Sequence, residues 1–180
     1  MAKTVLISIR PEWAARITSG KKTFEVRKNR PKLEQPFKCY IYETQGRTET
    51  PWIDEDGHTI FKGRGLVIGE FLCDTIWPIQ VECSSPVALG AGIEIPGTCL
   101  TDRKILEYLG NGKRGYAWHI SALKIYDVPN ELTEFHTWKK CKSCRKSGYE
   151  STACAYDDKC MVPAVITKAP QSWCYVEELK

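Results

Sequence analysis

No stretch of the sequence approaches the ~20 apolar residues that a membrane-crossing helix requires. A one-signed charge excess is also lacking: 26 Lys plus Arg face 22 Asp plus Glu, a formal charge of +4. A charge that small does not identify a nucleic-acid partner by itself, because a solvated surface of mixed charge looks the same. Histidine is scarce at three residues, no internal repeat is visible, and the opening segment MAKTVLISIR reads as a strand without a signal-peptide core. A cytoplasmic protein is therefore expected. What is present is a globular composition, 42% apolar and 27% charged over 180 residues, which excludes collagen-like and disordered classes. That length suits a single domain, 1–180, with one sizeable core.

Residues 4–9, TVLISI, are β-branched and apolar, the pattern of a buried strand that stops at Arg10-Pro11. A short helix is predicted next, with Pro11 at its first position, Trp13 and Ile17 on one face and Gly20 as its left-handed stop. Residues 23–28, TFEVRK, alternate with period two, so Phe24 and Val26 share one face and Thr23, Glu25 and Arg27 the other. Further strands are predicted over 37–43, 66–76, 115–127 and 172–176, with a hairpin excursion over 44–65 and a bulge or close backbone approach at Gly69. The proline-marked stretch 77–99 is expected to be an irregular connection. Thr101 caps a predicted helix over 102–109 that Gly110 closes, Val128-Pro129-Asn130 reads as a turn, and 131–138 as one or two helical turns. Five or six strands with two or three short helices and no βα alternation predict an α+β fold, a small mixed β-barrel with flanking short helices.

Nine cysteines in a reducing compartment do not suggest a disulfide framework, and the odd count would leave one unpaired. Four of them are clustered: Cys141-x2-Cys144, nine residues, Cys154, five residues, Cys160. Four thiolates in that span are a ligand set for tetrahedral structural zinc, and zinc offsets the folding cost of a segment with no core of its own. A zinc-binding insert over 139–162 is therefore expected, its surplus negative charge softened by neighbouring Lys and Arg. Surface thiols or redox pairs are the other reading, since the second half is looser than a paired CxxC knuckle. Cys39, Cys73, Cys83, Cys99 and Cys174 read as small buried hydrophobes.

Residues 19–32, SGKKTFEVRKNRPK, hold Lys21, Lys22, Arg27, Lys28, Arg30 and Lys32 with Glu25 as the single acid. Such a run can track a phosphate backbone, and it can equally be a solvated charged turn. Glu25 and Arg27, on one strand face, can read a base edge together or form a structural ion pair. Trp118, in the strand YAWHIS, shares a face with Tyr116 and can stack on a base or fill the core, and Trp173 has the same two readings. Among the histidines, His119 is a better candidate than His136 or His58.

The segments ISIRPEWAARITSGKKTFEVRKNRP, VIGEF, GYAWHISALKIYD with PNELTEF, and APQSWCYVEEL resemble, in order, an ASCH domain of the PUA-like superfamily, in its small bacterial and prophage form. The G-x-K-x-x-E-x-R signature falls on Gly20, Lys22, Glu25 and Arg27. This resemblance implies a compact β-barrel with a cleft beside the signature that binds RNA or a modified nucleobase. One branch of the family hydrolyses acetylcytidine with a lysine, a threonine nucleophile and a glutamate. Lys22 falls on that lysine, but Glu25 occupies the threonine position, and Glu70 and Glu107 are the candidates for the glutamate. A carboxylate cannot replace the hydroxyl of an acyl-enzyme route.

The leading expectation is a nucleic-acid-binding module for RNA or a modified nucleotide. Its proposed contacts are Lys21, Lys22, Glu25 and Arg27, with Lys28, Arg30 and Trp118 beside them. A hydrolase acting on a modified nucleoside or on RNA, with Lys22 and Glu25 catalytic, is the alternative, and a protein-interaction domain acting through the zinc insert is the third. Whether any reaction is catalysed stays open at this point.

Overall fold

In the computed structural model of the chain, residues 3–46, 52–53, 57, 59–60, 62–82, 85–88, 96–140 and 161–179 are described. The first half carries β1 (Lys3–Ile9), α1 (Pro11–Thr18), β2 (Phe24–Arg27), β3 (Phe37–Glu43), the short pair β4 (Trp52–Ile53) and β5 (Thr59–Ile60), and β6 (Val67–Cys73). There follow β7 (Ile76–Glu82), β8 (Ser85–Ala88), α2 (Asp102–Leu109), β9 (Arg114–His119) and β10 (Ser121–Asn130). A 3-10 turn (Leu132–Glu134), β11 (His136–Lys140), β12 (Met161–Val165) and β13 (Trp173–Glu177) complete the chain.

The unbroken apolar run at the start explains the centre of the molecule. A strand buried on both faces needs no polar alternation, and β1 lies inside a five-stranded sheet of order β10-β6-β3-β1-β13, parallel to β3 and antiparallel to β13. Val5, Ile7 and Ile9 face a core shared with Cys39, Ile41, Phe71, Trp118 and the α1 residues Ala14 and Ile17. Leu6 faces the other way, into a cluster with Tyr40, Phe135, Ile166 and Val176. A second sheet of order β2-β9-β7-β8 carries a third cluster, in which Phe24, Val26 and Ala117 pack on Ile105 and Leu109 of α2. Gly69 is the predicted close approach: a Cβ there would lie 2.4 Å from the Lys124 carbonyl oxygen, and the β3–β6 register shifts beside it.

Two chain passages join the sheets. β6 runs into β7 across Asp74 and Thr75, and β9 into β10 across Ile120, so each pair leaves one sheet and enters the other. The passages are tied side by side, since the His119 N–H donates to the Thr75 carbonyl at 2.9 Å.

Several expectations are corrected here. The described strands form separate five- and four-stranded sheets with two short ladders rather than a closed barrel, and there are thirteen of them where five or six were expected. The stretch 77–99 contains β7 and β8: Pro78 lies past the end of β8, whose pairing starts at Ile79, so one flank of the strand is free of a ladder and the missing N–H breaks nothing there. Val128-Pro129-Asn130 continues β10, an edge strand, where proline is likewise tolerated. Within 131–138 only Leu132–Glu134 is helical, and His136–Lys140 is a strand. Lys139 and Lys140 pair with Val162 and Met161, so the ends of the expected insert belong to a ladder. The four cysteines Cys141, Cys144, Cys154 and Cys160 lie outside the described residues. No helix among the described residues is long and apolar enough to cross a membrane.

Candidate functional site

The signature segment builds its site by folding back on α1. Gly20 takes a φ of 76°, and the Lys22 N–H donates to the Arg16 carbonyl at 2.8 Å, which turns the Lys22 side chain inward. Lys22 is 2% exposed, a rare state for a lysine unless its charge is met. It is met twice: Nζ donates to the Thr98 carbonyl at 2.5 Å and lies 3.3 Å from Glu25 Oε2. Thr98 reaches this position because the N–H groups of Thr23 and Phe24 both donate to the Gly97 carbonyl, at 2.8 and 3.1 Å. A Cβ on Gly97 would stand 2.1 Å from Thr23 Oγ1, so a glycine is needed for the loop to dock on β2.

The alternation of β2 places Arg27 on the same face as Glu25, as the sequence predicted. Arg27 Nη2 lies 3.1 Å from Glu25 Oε1 and donates to the Ser8 carbonyl at 2.6 Å, while Nε is buried without a partner. Two cations and a carboxylate therefore form a row whose side chains are between 1% and 10% exposed. Desolvating each ion costs several kcal/mol, and only close pairing with further hydrogen bonds to each cation returns it.

This row is the floor of a cavity of about 440 Å³, within the size range of small-molecule sites. Trp13 from α1 and Tyr108 from α2 contribute aromatic walls, with Arg10, Glu12, Lys104 and Glu107 also lining it. Four cations and three carboxylates thus face one space, so it is a mixed-charge cavity. The excess of cations is at Trp13: Arg16, Lys22 and Lys104 lie 5.4, 5.5 and 5.1 Å from its ring centroid. Arg16 and Lys104 are exposed and form no ion pair among the described residues.

Of the residues singled out in the sequence, Lys22, Glu25 and Arg27 come together here. Lys21, Lys28 and Arg30 do not line the cavity: Lys28 lies 5.2 Å from the Tyr108 ring centroid, Arg30 5.9 Å from that of Tyr116, and the Lys21 carbonyl accepts from Cys99 Sγ at 3.4 Å. Trp118 is fully buried against Phe37 and Trp173 in the main core, so its ring is not a stacking surface for a base. Trp173 is half-buried and packs against the same cluster.

His119 Nδ1 sits 2.7 Å from Asp74 Oδ1 at the passages between sheets, away from the cavity lining. Glu107 lines the cavity and pairs with Arg103 at 2.9 Å, whereas Glu70 belongs to a network with Lys38 and Tyr126. Cys39 and Cys73 are buried as expected, Cys99 and Cys174 only partly so, and Cys83 is outside the described residues. Burial pushes the Cys73 thiol up to about 12 and that of Cys174 up to about 11.

Sequence reasoning passed over Thr98, Lys104 and Tyr108. Lys104 and Tyr108 carried a signal, because positions four apart on α2 share a face, offset from the buried Ile105 and Leu109. Thr98 carried none beyond the Pro96-Gly97 turn.

No curated protein matches the chain. The ASCH domain family matches residues 7–95, which include the signature segment. Two crystal structures of single-substitution variants of an ASCH protein from Zymomonas mobilis are similar in fold. One is 18% identical with a TM-score of 0.55, covering 98% of this chain and 92% of that one. The other is 21% identical with a TM-score of 0.50, covering 72% and 74%. The family match takes in the very strand that forms the cavity floor, so this chain carries an ASCH domain over residues 7–95.

Proposed function

We propose that the cavity binds a nucleotide of an RNA strand, with the base at the Lys22–Glu25–Arg27 floor and the phosphate at the mouth beside Arg16 and Lys104. The observation that carries this reading is the buried charged row lining a cavity of about 440 Å³, with the exposed cations Arg16 and Lys104 5.4 and 5.1 Å from the ring centroid of its Trp13 wall. The donors of a base edge are met by the carboxylate of the floor, while a phosphate needs the exposed cations Arg16 and Lys104. Trp13 and Tyr108 offer aromatic surface for stacking. RNA binding is also what the ASCH resemblance implies.

Anisotropy of a short single-stranded RNA, titrated at several salt concentrations, tests it. Exchanging Arg16 and Lys104 together for Ala should weaken binding about tenfold or more at low salt and lower the salt slope by roughly one to two units. Unchanged affinity in a folded double variant rejects the phosphate placement.

The buried Lys22–Glu25 pair also favours a second reading, a hydrolase in which Glu25 activates water and Lys22 stabilises developing negative charge. A hydroxyl nucleophile has less support: Ser8 Oγ donates to the Pro170 carbonyl at 2.7 Å, and Thr23 Oγ1 is turned against Gly97. Turnover of a modified-nucleoside panel or of RNA, abolished in Glu25→Gln, would establish it over binding alone.

The insert is proposed to hold one structural zinc through Cys141, Cys144, Cys154 and Cys160. Pairing of Lys140 with Met161 supports this, because it brings the two ends of the segment together and closes the loop that a metal would tie. Metal analysis of protein purified without added zinc should find one zinc per chain.

A further inference from the structure

We infer that Glu25 selects the base, and that the edge it selects carries two adjacent hydrogen-bond donors, the N1–H and 2-amino group of guanine. This deepens the nucleotide reading above and rests on it. Arg27 Nη2 donates to the Ser8 carbonyl at 2.6 Å and Nη1 to Ser172 Oγ at 3.5 Å, while Nη2 stands as an ion-pair partner 3.1 Å from Glu25 Oε1. Lys22 Nζ donates to the Thr98 carbonyl at 2.5 Å and pairs as an ion with Glu25 Oε2 at 3.3 Å, and its side chain is 1% exposed. Both cations are therefore anchored to backbone carbonyls beside the carboxylate, and the one unpartnered donor, Arg27 Nε, is buried and does not reach the surface of the cavity.

Glu25 is in the opposite position. Each of its oxygens takes one cation, one on each flank, while a carboxylate offers about four acceptor sites over its two oxygens. About one acceptor position per oxygen remains, and the residue lines the cavity. What the floor presents to a ligand is thus a pair of acceptors held between two cations.

The four bases answer this pair differently. Guanine alone brings two adjacent donors on its pairing edge and can bond both oxygens in parallel. Adenine and cytosine each bring one amine beside an unprotonated ring nitrogen, whose lone pair would face a carboxylate oxygen. Uracil brings one N–H between two carbonyls. A floor of buried polar groups rejects a ligand that leaves them unpaired or opposed more strongly than it rejects a misfit of shape.

The test uses five-nucleotide strands of uridine in which the central residue is uridine, guanosine, inosine or cytidine, with affinity read by competition at one fixed salt. Inosine keeps N1–H and the purine ring but lacks the 2-amino group, so it removes one of the two bonds and nothing else. The guanosine strand should bind at least about tenfold tighter than the other three, with inosine second. Equal affinity for guanosine and inosine, or a preference for a pyrimidine, overturns the assignment while leaving RNA binding in place. Failure of all four strands to bind at low salt overturns both. In Glu25→Gln one acceptor becomes a donor, so the guanosine advantage should disappear while strands still bind through Arg16 and Lys104. The ranking on the unaltered protein decides the matter even if that variant fails to fold.

Discussion

Two clusters of the same charge types sit in different surroundings. At the cavity floor Glu25 stands between Lys22 and Arg27, with all three side chains at most 10% exposed. On the five-stranded sheet Lys38 stands between Glu70, at 3.6 Å, and Glu178, at 2.7 Å, with side chains 22% to 42% exposed, and the Tyr126 hydroxyl donates to Glu70 Oε2 at 2.6 Å. Water screens the second cluster and can replace any partner it loses. Nothing replaces a lost partner in the first. Composition alone therefore does not mark a site: the cost of burying the charges does, because a chain accepts that cost where the ions hold one another in a defined geometry.

The comparison is broken most severely by removing the central acid. Glu25→Ala leaves two buried cations facing each other and should lower unfolding stability by about 3–5 kcal/mol in denaturant titration. A loss below about 1 kcal/mol would mean that the floor behaves like the exposed cluster.

Pairing Lys22→Met with Glu25→Gln sharpens the same point. Glu25→Gln strands both Lys22 and Arg27, and adding Lys22→Met removes one of the two stranded cations, so the double variant should be more stable than the two single losses added together, by roughly 1–3 kcal/mol.

In the exposed cluster Lys38→Met should cost less than about 1 kcal/mol. The Lys38 ammonium is held above its ordinary value of 10.5, chiefly by its hydrogen bond to Glu178 and against the effect of burial. A raised cationic pKa gives stability that is present below the unfolded value and is lost as pH rises through the folded one. The difference between variant and parent should therefore stay flat through neutral pH and close only in strong alkali, as followed by denaturant midpoints.

The smallest effect belongs to Asp74. Burial pushes its carboxyl up, but hydrogen bonds from His119 and Ser121 outweigh this and hold it below its ordinary value of 3.8. A depressed carboxylate gives stability that is present above the unfolded value and is lost as pH falls through the folded one. Asp74→Asn should cost a few tenths of a kcal/mol at neutral pH, since the side chain is 42% exposed, and nothing in strong acid.

Much of the fold was legible where the signal is local. Pro11 starts α1 and Gly20 ends its fold-back, 37–43 is β3, and Thr101 caps α2 with its side chain accepting from the Lys104 N–H at 3.3 Å. Prolines misled the reading of 77–99, because a proline is a breaker only where both flanks of a strand are paired, and the sequence does not say which flanks are. Trp118 shows a related limit. Alternation put it on a face with Tyr116 but could not tell that this face turns into the main core.

The candidate site divides along the same line. By itself the sequence determined that Glu25 and Arg27 share a strand face, that Lys22 precedes them across a turn, and that Lys104 and Tyr108 share a helix face, because strand and helix periods are properties of a few successive residues. Only the tertiary structure decided that these faces meet around one cavity, that Thr98, 76 residues from Lys22, caps its ammonium, and that Arg16 and Lys104 converge on Trp13. Those contacts join segments distant in the chain, and whether they meet is settled by how the sheets pack and not by any local pattern.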